Sequence, residues 1–206
     1  MERMREWTVK RRYTIVLIAF LTVWYIFQLI VLHLAGETTA EYLFYSDIPN
    51  EYPPDFQIAY LFSPISHEMD NLGHFTLNIV LLFLVGSFAE PYINGKKIIL
   101  FVIILGYFGT ILTNTTVIFH LFWSTAGASG GILALASYSG LQLKHLASDF
   151  PPDRMLSSHG IESMFSLFLL LMIPAVLLHE LLISWNIGHV MGILVGIVYY
   201  LFEGKF

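Results

Sequence analysis

No cysteine occurs anywhere in the 206 residues, which excludes disulfides, thiolate chemistry and cysteine-ligated metals. Charge is nearly as scarce. Asp, Glu, Lys and Arg make up 12% of the chain, against roughly 25% in soluble domains, so a water-soluble globule of this size is excluded. Between Ile98 and Leu143 none of the four charged types appears in 46 consecutive residues. What is there is apolar: 56% of the residues are hydrophobic and 16% aromatic. Six membrane-spanning helices at about 20 residues each would use about 120 residues, close to the whole hydrophobic fraction. A single all-α polytopic membrane domain over 1–206 follows, with no room for a soluble domain of ordinary size.

The first apolar run, about 13–34, comes after Arg3, Arg5, Lys10, Arg11 and Arg12. It is long for a signal core and has no clear small-x-small cleavage site after it, so it reads as a permanent span. A loop over 36–71 follows, with prolines and the acids Glu37, Glu41, Asp47, Glu51, Asp55, Glu68 and Asp70. Further spans are expected at about 72–89, 98–119, 126–143, 163–178 and 185–202. The second is stopped by Glu90-Pro91, since proline cannot continue the helix. Six spans leave both termini on one side, and all ten Lys and Arg fall on that side. The opposite side carries the acidic loop and Glu180. By the positive-inside rule both termini are cytoplasmic, and the expected location is the cell membrane, multi-pass.

With that orientation spans two, four and six all start at the outer face. His74 and Asn78, Ser129, and His189 sit in their first turns, very roughly 3 to 10 Å below the helix ends at 1.5 Å per residue. Polar groups in a bilayer are costly and usually face the bundle interior or a water-filled cavity, so these four could meet. A serine within reach of a histidine is the minimum for an activated hydroxyl nucleophile. His74 and Asn78 are four apart and share a helix face, where they could aim two donors at one oxyanion. Gly127-Ala128-Ser129-Gly130-Gly131 opens a helix whose positive end favours developing negative charge. Taken singly, each residue also has a packing role: serine as interhelical glue, and glycine, including the stripe Gly188, Gly192 and Gly196, for close approach. The stripe is expected to pack against span four.

Three motifs therefore stand in order: Gly73-His74-Phe75-Thr76-Leu77-Asn78 with Glu90 after it, Gly127-Ala128-Ser129-Gly130, and Gly188-His189-Val190-Met191-Gly192 with Gly196. In these the chain resembles the rhomboid intramembrane serine proteases, in a minimal six-span form of prokaryotic type. The resemblance implies an intramembrane serine endopeptidase that cleaves single-span membrane proteins near their outer ends, within the lipid bilayer. It implies Ser129 as nucleophile, His189 as general base, and His74, Asn78 and the Ser129 backbone N–H as oxyanion hole. Gly127 and Gly130 are expected at the substrate. No metal, cofactor or nucleic acid is implied. Phe62 to His67 looks like the end of the family's first loop, with His67 either stabilising that loop or solvated on the surface. Two departures stand out. The 36–71 loop has neither Trp nor Arg, where many rhomboids carry a Trp-Arg pair, so other contacts must hold it. Leu133 occupies the position where an aromatic often supports the catalytic imidazole.

Rival chemistries fit less well. His179-Glu180-Leu181-Leu182-Ile183 lacks the second histidine of a zinc protease helix, and His67-Glu68 has Asn71 in that place. Aspartyl chemistry needs two embedded acids, and almost every acid falls in a loop. A transporter would need polar residues through the full thickness. The principal alternative is a catalytically silent rhomboid-like protein that binds membrane helices, although such proteins typically lose the serine or histidine kept here.

Overall fold

The computed structural model describes residues 2–44, 59–67, 69–108, 128–148, 157–184 and 186–204. Among the described residues all regular structure is helical, with no strand. In chain order these are α1 (Glu2–Lys10), α2 (Arg12–Ala35), α3 (Glu37–Phe44), and α4 (Ala59–Phe62), which runs into a 3₁₀ turn at Ser63–Ile65. Next come α5 (Leu72–Ala89), α6 (Lys96–Ile99) with a π-helical continuation Leu100–Leu105, α7 (Ser129–Gln142) and α8 (Lys144–Ser148). Then follow α9 (Ser158–His179) with a π-helical turn Glu180–Ser184, and α10 (Ile187–Glu203). The stretches Arg12–Ala35, Leu72–Ala89 and Ser158–Ile183 are long and apolar enough to cross a membrane, and Ile187–Glu203 is a shorter apolar helix. Residues 45–58 of the expected outer loop, the expected third span beyond 108, and the start of the fourth before 128 lie outside the described residues.

The helices are apolar on two sides for two reasons. α2 buries Thr14, Leu17, Leu21, Tyr25 and Gln28, a stripe at three- and four-residue spacing. Its outward side chains Val16, Phe20, Val23, Phe27 and Ile30 are exposed. Leu77, Val80 and Phe83 repeat this on α5, and Met164, Phe168 and Leu171 on α9. A helix that is hydrophobic all round, yet buried along one stripe only, has protein on one side and lipid on the other.

α7 is the central helix. Gly131 to Gly140 are buried without interruption, and α5, the π-helical segment after α6, α9 and α10 pack around it. Small residues make this possible, because backbones can approach where no side chain intervenes. Ser137 Oγ lies 2.8 Å from the Leu133 carbonyl on its own helix and 3.1 Å from that of Ile193 on α10.

The two ends of the bundle are held differently. At the end near the chain termini, Lys97 Nζ donates to Tyr138 OH at 2.6 Å and to Glu203, and Tyr138 OH also donates to Glu203. The buried Glu90 carboxylate accepts from the N–H of Tyr13 at 2.9 Å, the N–H of Thr14 at 2.8 Å and Thr14 Oγ1 at 2.7 Å. A carboxylate there satisfies otherwise orphaned donors and meets the positive end of α2. At the opposite end α2 stops at Gly36, whose φ of 83° lies in the left-handed region open to glycine. Here the 62–67 segment docks on α2. Trp24 Nε1 donates to Ser66 Oγ at 3.2 Å. Gln28 Nε2 donates to the His67 carbonyl at 3.3 Å, while the His67 N–H donates to Gln28 Oε1 at 3.2 Å. These contacts hold a segment that has no Trp-Arg pair. His67 is fully buried, which removes the solvated alternative.

Candidate active site

The first turns of α7 and α10 touch because neither bears a side chain where they meet. A Cβ on Gly192 would stand 2.8 Å from Gly130 Cα, and one on Gly196 would stand 3.0 Å from the Ala134 carbonyl carbon. Both are inside the ordinary carbon–carbon contact of about 3.5–4.0 Å. On another side, a Cβ on Gly131 would lie 2.7 Å from Val102 Cα in the π-helical segment. The glycine stripe of α10 thus packs on α7, as the spacing predicts. This approach brings His189 Nε2 to 2.8 Å from Ser129 Oγ. Both residues are half-buried, so the pair is shielded without being sealed.

Ser129 is the first residue of α7. The Ile132 N–H bonds the Ala128 carbonyl at 2.9 Å, so the N–H groups of Ser129, Gly130 and Gly131 precede the helical ladder, at the positive end of the macrodipole. Such N–H groups are the ordinary means by which a helix start receives an anion.

The two site histidines are positioned by the same local device. The Asn71 side chain caps α5 by accepting from the His74 N–H at 3.0 Å, and the Asn186 side chain caps α10 by accepting from the His189 N–H at 3.2 Å. Each Asn satisfies one of the orphan donors of a helix start. Asn71-Leu72-Gly73-His74 and Asn186-Ile187-Gly188-His189 repeat one pattern, a signal that the motif reading above passes over. His74 is half-buried, stands 5.9 Å ring to ring from His67, and lies within electrostatic reach of His189. Asn78, one turn further along α5, is buried, and its Nδ2 has no hydrogen-bond partner among the described residues. Leaving a buried donor unpaired costs about 1–3 kcal/mol. Gly130 is half-buried beside Ser129, and Gly127 lies outside the described residues.

Two neighbours were not legible as parts of the site. Glu180 reads in the sequence as an outer-loop acid, but the π-helical turn carries it inward. It is 8% exposed, with Oε1 3.2 Å from His189 Nδ1 and 3.4 Å from His179 Nδ1. His67 packs edge-on against Phe75, with ring centroids 5.2 Å apart. Burial, and secondarily the charge of His74, push its imidazole down to about 4. Leu133, one turn below Ser129, is buried with Ile173 and Ile193. Among the described residues no group of three or more His, Asp or Glu side chains gathers as metal ligands.

Chemically, an imidazole at hydrogen-bond distance from a hydroxyl can take its proton as the oxygen attacks an electrophile. Backbone and side-chain donors next to it can receive the charge that develops. A family model described as Rhomboid domain matches residues 57–206. No curated protein matches the chain.

Proposed function

The chain belongs to the rhomboid family, and from that membership we propose that it is an intramembrane serine endopeptidase that cleaves single-span membrane proteins near the outer membrane face. It crosses the cell membrane six times with both termini in the cytoplasm. The observation that carries the reading is the 2.8 Å contact between Ser129 Oγ and His189 Nε2, made at a helix start rich in backbone donors.

In this mechanism Ser129 Oγ attacks the scissile carbonyl carbon while its proton passes to His189 Nε2. The carbonyl electron pair becomes an oxyanion, received by His74, Asn78 and the Ser129 N–H. The unpartnered Asn78 Nδ2 supports that role, since it is a donor with capacity left for an incoming acceptor. As the oxyanion collapses, the C–N bond breaks and the imidazolium returns its proton to the leaving amine. Water then adds to the ester as His189 takes its proton, the C–O bond to Ser129 breaks, and the proton goes back to the serine oxygen. Gly130, beside Ser129, is assigned to substrate contact in this reading, as is Gly127 from the sequence motif.

The test is incubation of the detergent-solubilised protein with single-span model substrates, comparing wild type with Ser129→Ala by product mass, alongside labelling of Ser129 by a fluorophosphonate. Cleavage and labelling by the wild type alone are expected. If the wild type neither cleaves nor is labelled, the reading is overturned in favour of a silent helix-binding protein. Labelling without cleavage means that the dyad works and the substrates are the wrong ones.

A further inference from the structure

The Ser129–His189 pair leaves one ring nitrogen unexplained. His189 Nδ1 is buried and makes no hydrogen bond among the described residues, yet Glu180 Oε1 is 3.2 Å away. The pair is in ion-pair range without being aligned as a hydrogen bond, which is common before substrate binds, because catalytic hydrogen bonds often tighten only in the reacting complex. Glu180 is itself buried. Its other ring neighbour, His179, is about half exposed, with side-chain exposure of 54%, so solvent screens that contact more than it screens the one to His189.

We infer that Glu180 is a positioning residue for His189 and completes a Ser129–His189–Glu180 relay, an inference that rests on the protease reading above. The chemistry is helped by such a group. When Nε2 takes the serine proton the ring becomes an imidazolium, and Nδ1 must then hold its own proton and shed positive charge into its surroundings. A carboxylate at Nδ1 keeps the proton on that nitrogen, leaves the Nε2 lone pair facing Ser129 Oγ, and stabilises the imidazolium as it forms. Glu180 touches neither substrate nor reacting atom, and acts through the ring.

Two features of the fold place it there. α9 does not end at His179 but tightens into the π-helical turn Glu180–Ser184, and such turns are often found at functional sites because they re-aim a side chain. The turn packs against α10, whose first residues are fixed by the Asn186 cap and the Gly192 contact. The carboxylate supplies orientation at the Nδ1 edge of the ring, while Nε2 faces Ser129 Oγ.

An aligned and fully buried carboxylate behind a serine–histidine pair is worth up to about 10⁴-fold in turnover. For a buried but unaligned one the expected loss is smaller, about tenfold to a hundredfold. The experiment compares wild type, Glu180→Gln and Glu180→Asp as full-length protein in detergent, reading kcat and KM on a cleaved model substrate, the rate of fluorophosphonate labelling, and Tm. Glu180→Gln is expected to lower kcat and the labelling rate together by tenfold or more, with KM and Tm nearly unchanged. Glu180→Asp keeps the charge at a longer reach and is expected to fall between the two. Labelling and kcat within twofold of wild type in Glu180→Gln overturn the inference. A loss that follows a fall in Tm and is equal for Gln and Asp also overturns it, by showing a structural role. If Ser129→Ala still cleaves, or the wild type neither cleaves nor labels, the protease reading fails and takes the relay with it. If Ser129→Ala is dead and Glu180→Gln is unimpaired, only the relay fails.

Discussion

Replacing Gly192 by alanine should disable the site without touching a polar atom. The added Cβ would stand 2.8 Å from both the Cα and the carbonyl carbon of Gly130, and closer still to its carbonyl oxygen. Carbon–carbon contacts settle at about 3.5–4.0 Å, so α7 and α10 must part by roughly 1 Å at this level. The obstacle is backbone, which cannot swing aside as a side-chain tip can. Ser129 and His189 sit on these two helices within one turn of the clash. Their 2.8 Å contact would open to about 3.8 Å, outside the range of a working hydrogen bond. A displacement of about 1 Å can cost about 10²-fold in rate, while overpacking itself typically costs only about 1–3 kcal/mol of stability. The expected result of Gly192→Ala is therefore a folded protein with kcat and fluorophosphonate labelling down about a hundredfold. Gly140→Ala is the control. It lies on the same central helix, where the nearest atom to a new Cβ is the flexible tip of Ile173 at 3.2 Å, and it should keep activity within about twofold. Wild-type turnover in Gly192→Ala, or an equal loss in Gly140→Ala, would refute the reasoning.

Other perturbations separate chemistry from packing. Asn78→Ala should lower kcat by about 10²- to 10³-fold, the usual cost of one oxyanion donor, with Tm nearly unchanged because Nδ2 has no folded-state partner to lose; a loss under threefold would remove Asn78 from the oxyanion hole. Buried His67 resists protonation down to about 4, against 6.5 for a free imidazole. Its depressed value means that the unfolded chain binds the proton first, so stability falls as pH drops from 6.5 and levels off below about 4. At 1.36 kcal/mol per unit the whole difference is about 3 kcal/mol. Unfolding free energies of wild type and His67→Phe across that window should diverge by this order, and parallel curves would show that His67 carries none of it. Glu90→Gln weakens three hydrogen bonds at the start of α2. Bonds to charged groups are worth about 1.5–3 kcal/mol each, so a loss of at least about 2 kcal/mol is expected, with the labelling rate of the folded fraction unaltered; an unchanged Tm would count against the capping account.

Much of this arrangement was legible because the bilayer simplifies the code. The limits expected for the second span, 72–89, are those of α5, and 13–34 differs by one residue at each end from Arg12–Ala35. Apolar length and a flanking cap or proline suffice there. α9 begins at Ser158, five residues before the expected 163, where the Ser157 side chain caps the helix by accepting from the Gly160 N–H at 3.0 Å. For the site, the expected topology put His74, Asn78, Ser129 and His189 at one depth, and of these the structure brings His189 to 2.8 Å from Ser129. What did not follow was any contact made through irregular geometry. No residue pattern announces that the helix after His179 becomes π-helical, and a single change in winding turns Glu180 from a loop acid into a neighbour of His189. Gln28 of α2 bonds main-chain atoms of His67, about which side-chain patterns say nothing.

The contrast between the two ends of the bundle has a physical reason. Where Lys97, Tyr138 and Glu203 meet, charge-assisted hydrogen bonds fix three elements together, at the cost of strong local fields. The same device beside Ser129 would fix the protonation of the imidazole and deny it the two states that proton transfer requires. Glycine contact between α7 and α10 achieves proximity with no charge at all, and the Asn71 and Asn186 caps hold each histidine backbone with neutral amides. Against that quiet background one carboxylate at 3.2 Å from Nδ1 is a large perturbation. It can favour the imidazolium when the serine proton arrives while leaving the neutral ring available beforehand. Small residues supply the distance, neutral caps supply the orientation of the backbone, and Glu180 acts on the ring. Substitutions at Gly192 and at Glu180 should therefore both slow labelling, and only the glycine variant should do so by separating the helices.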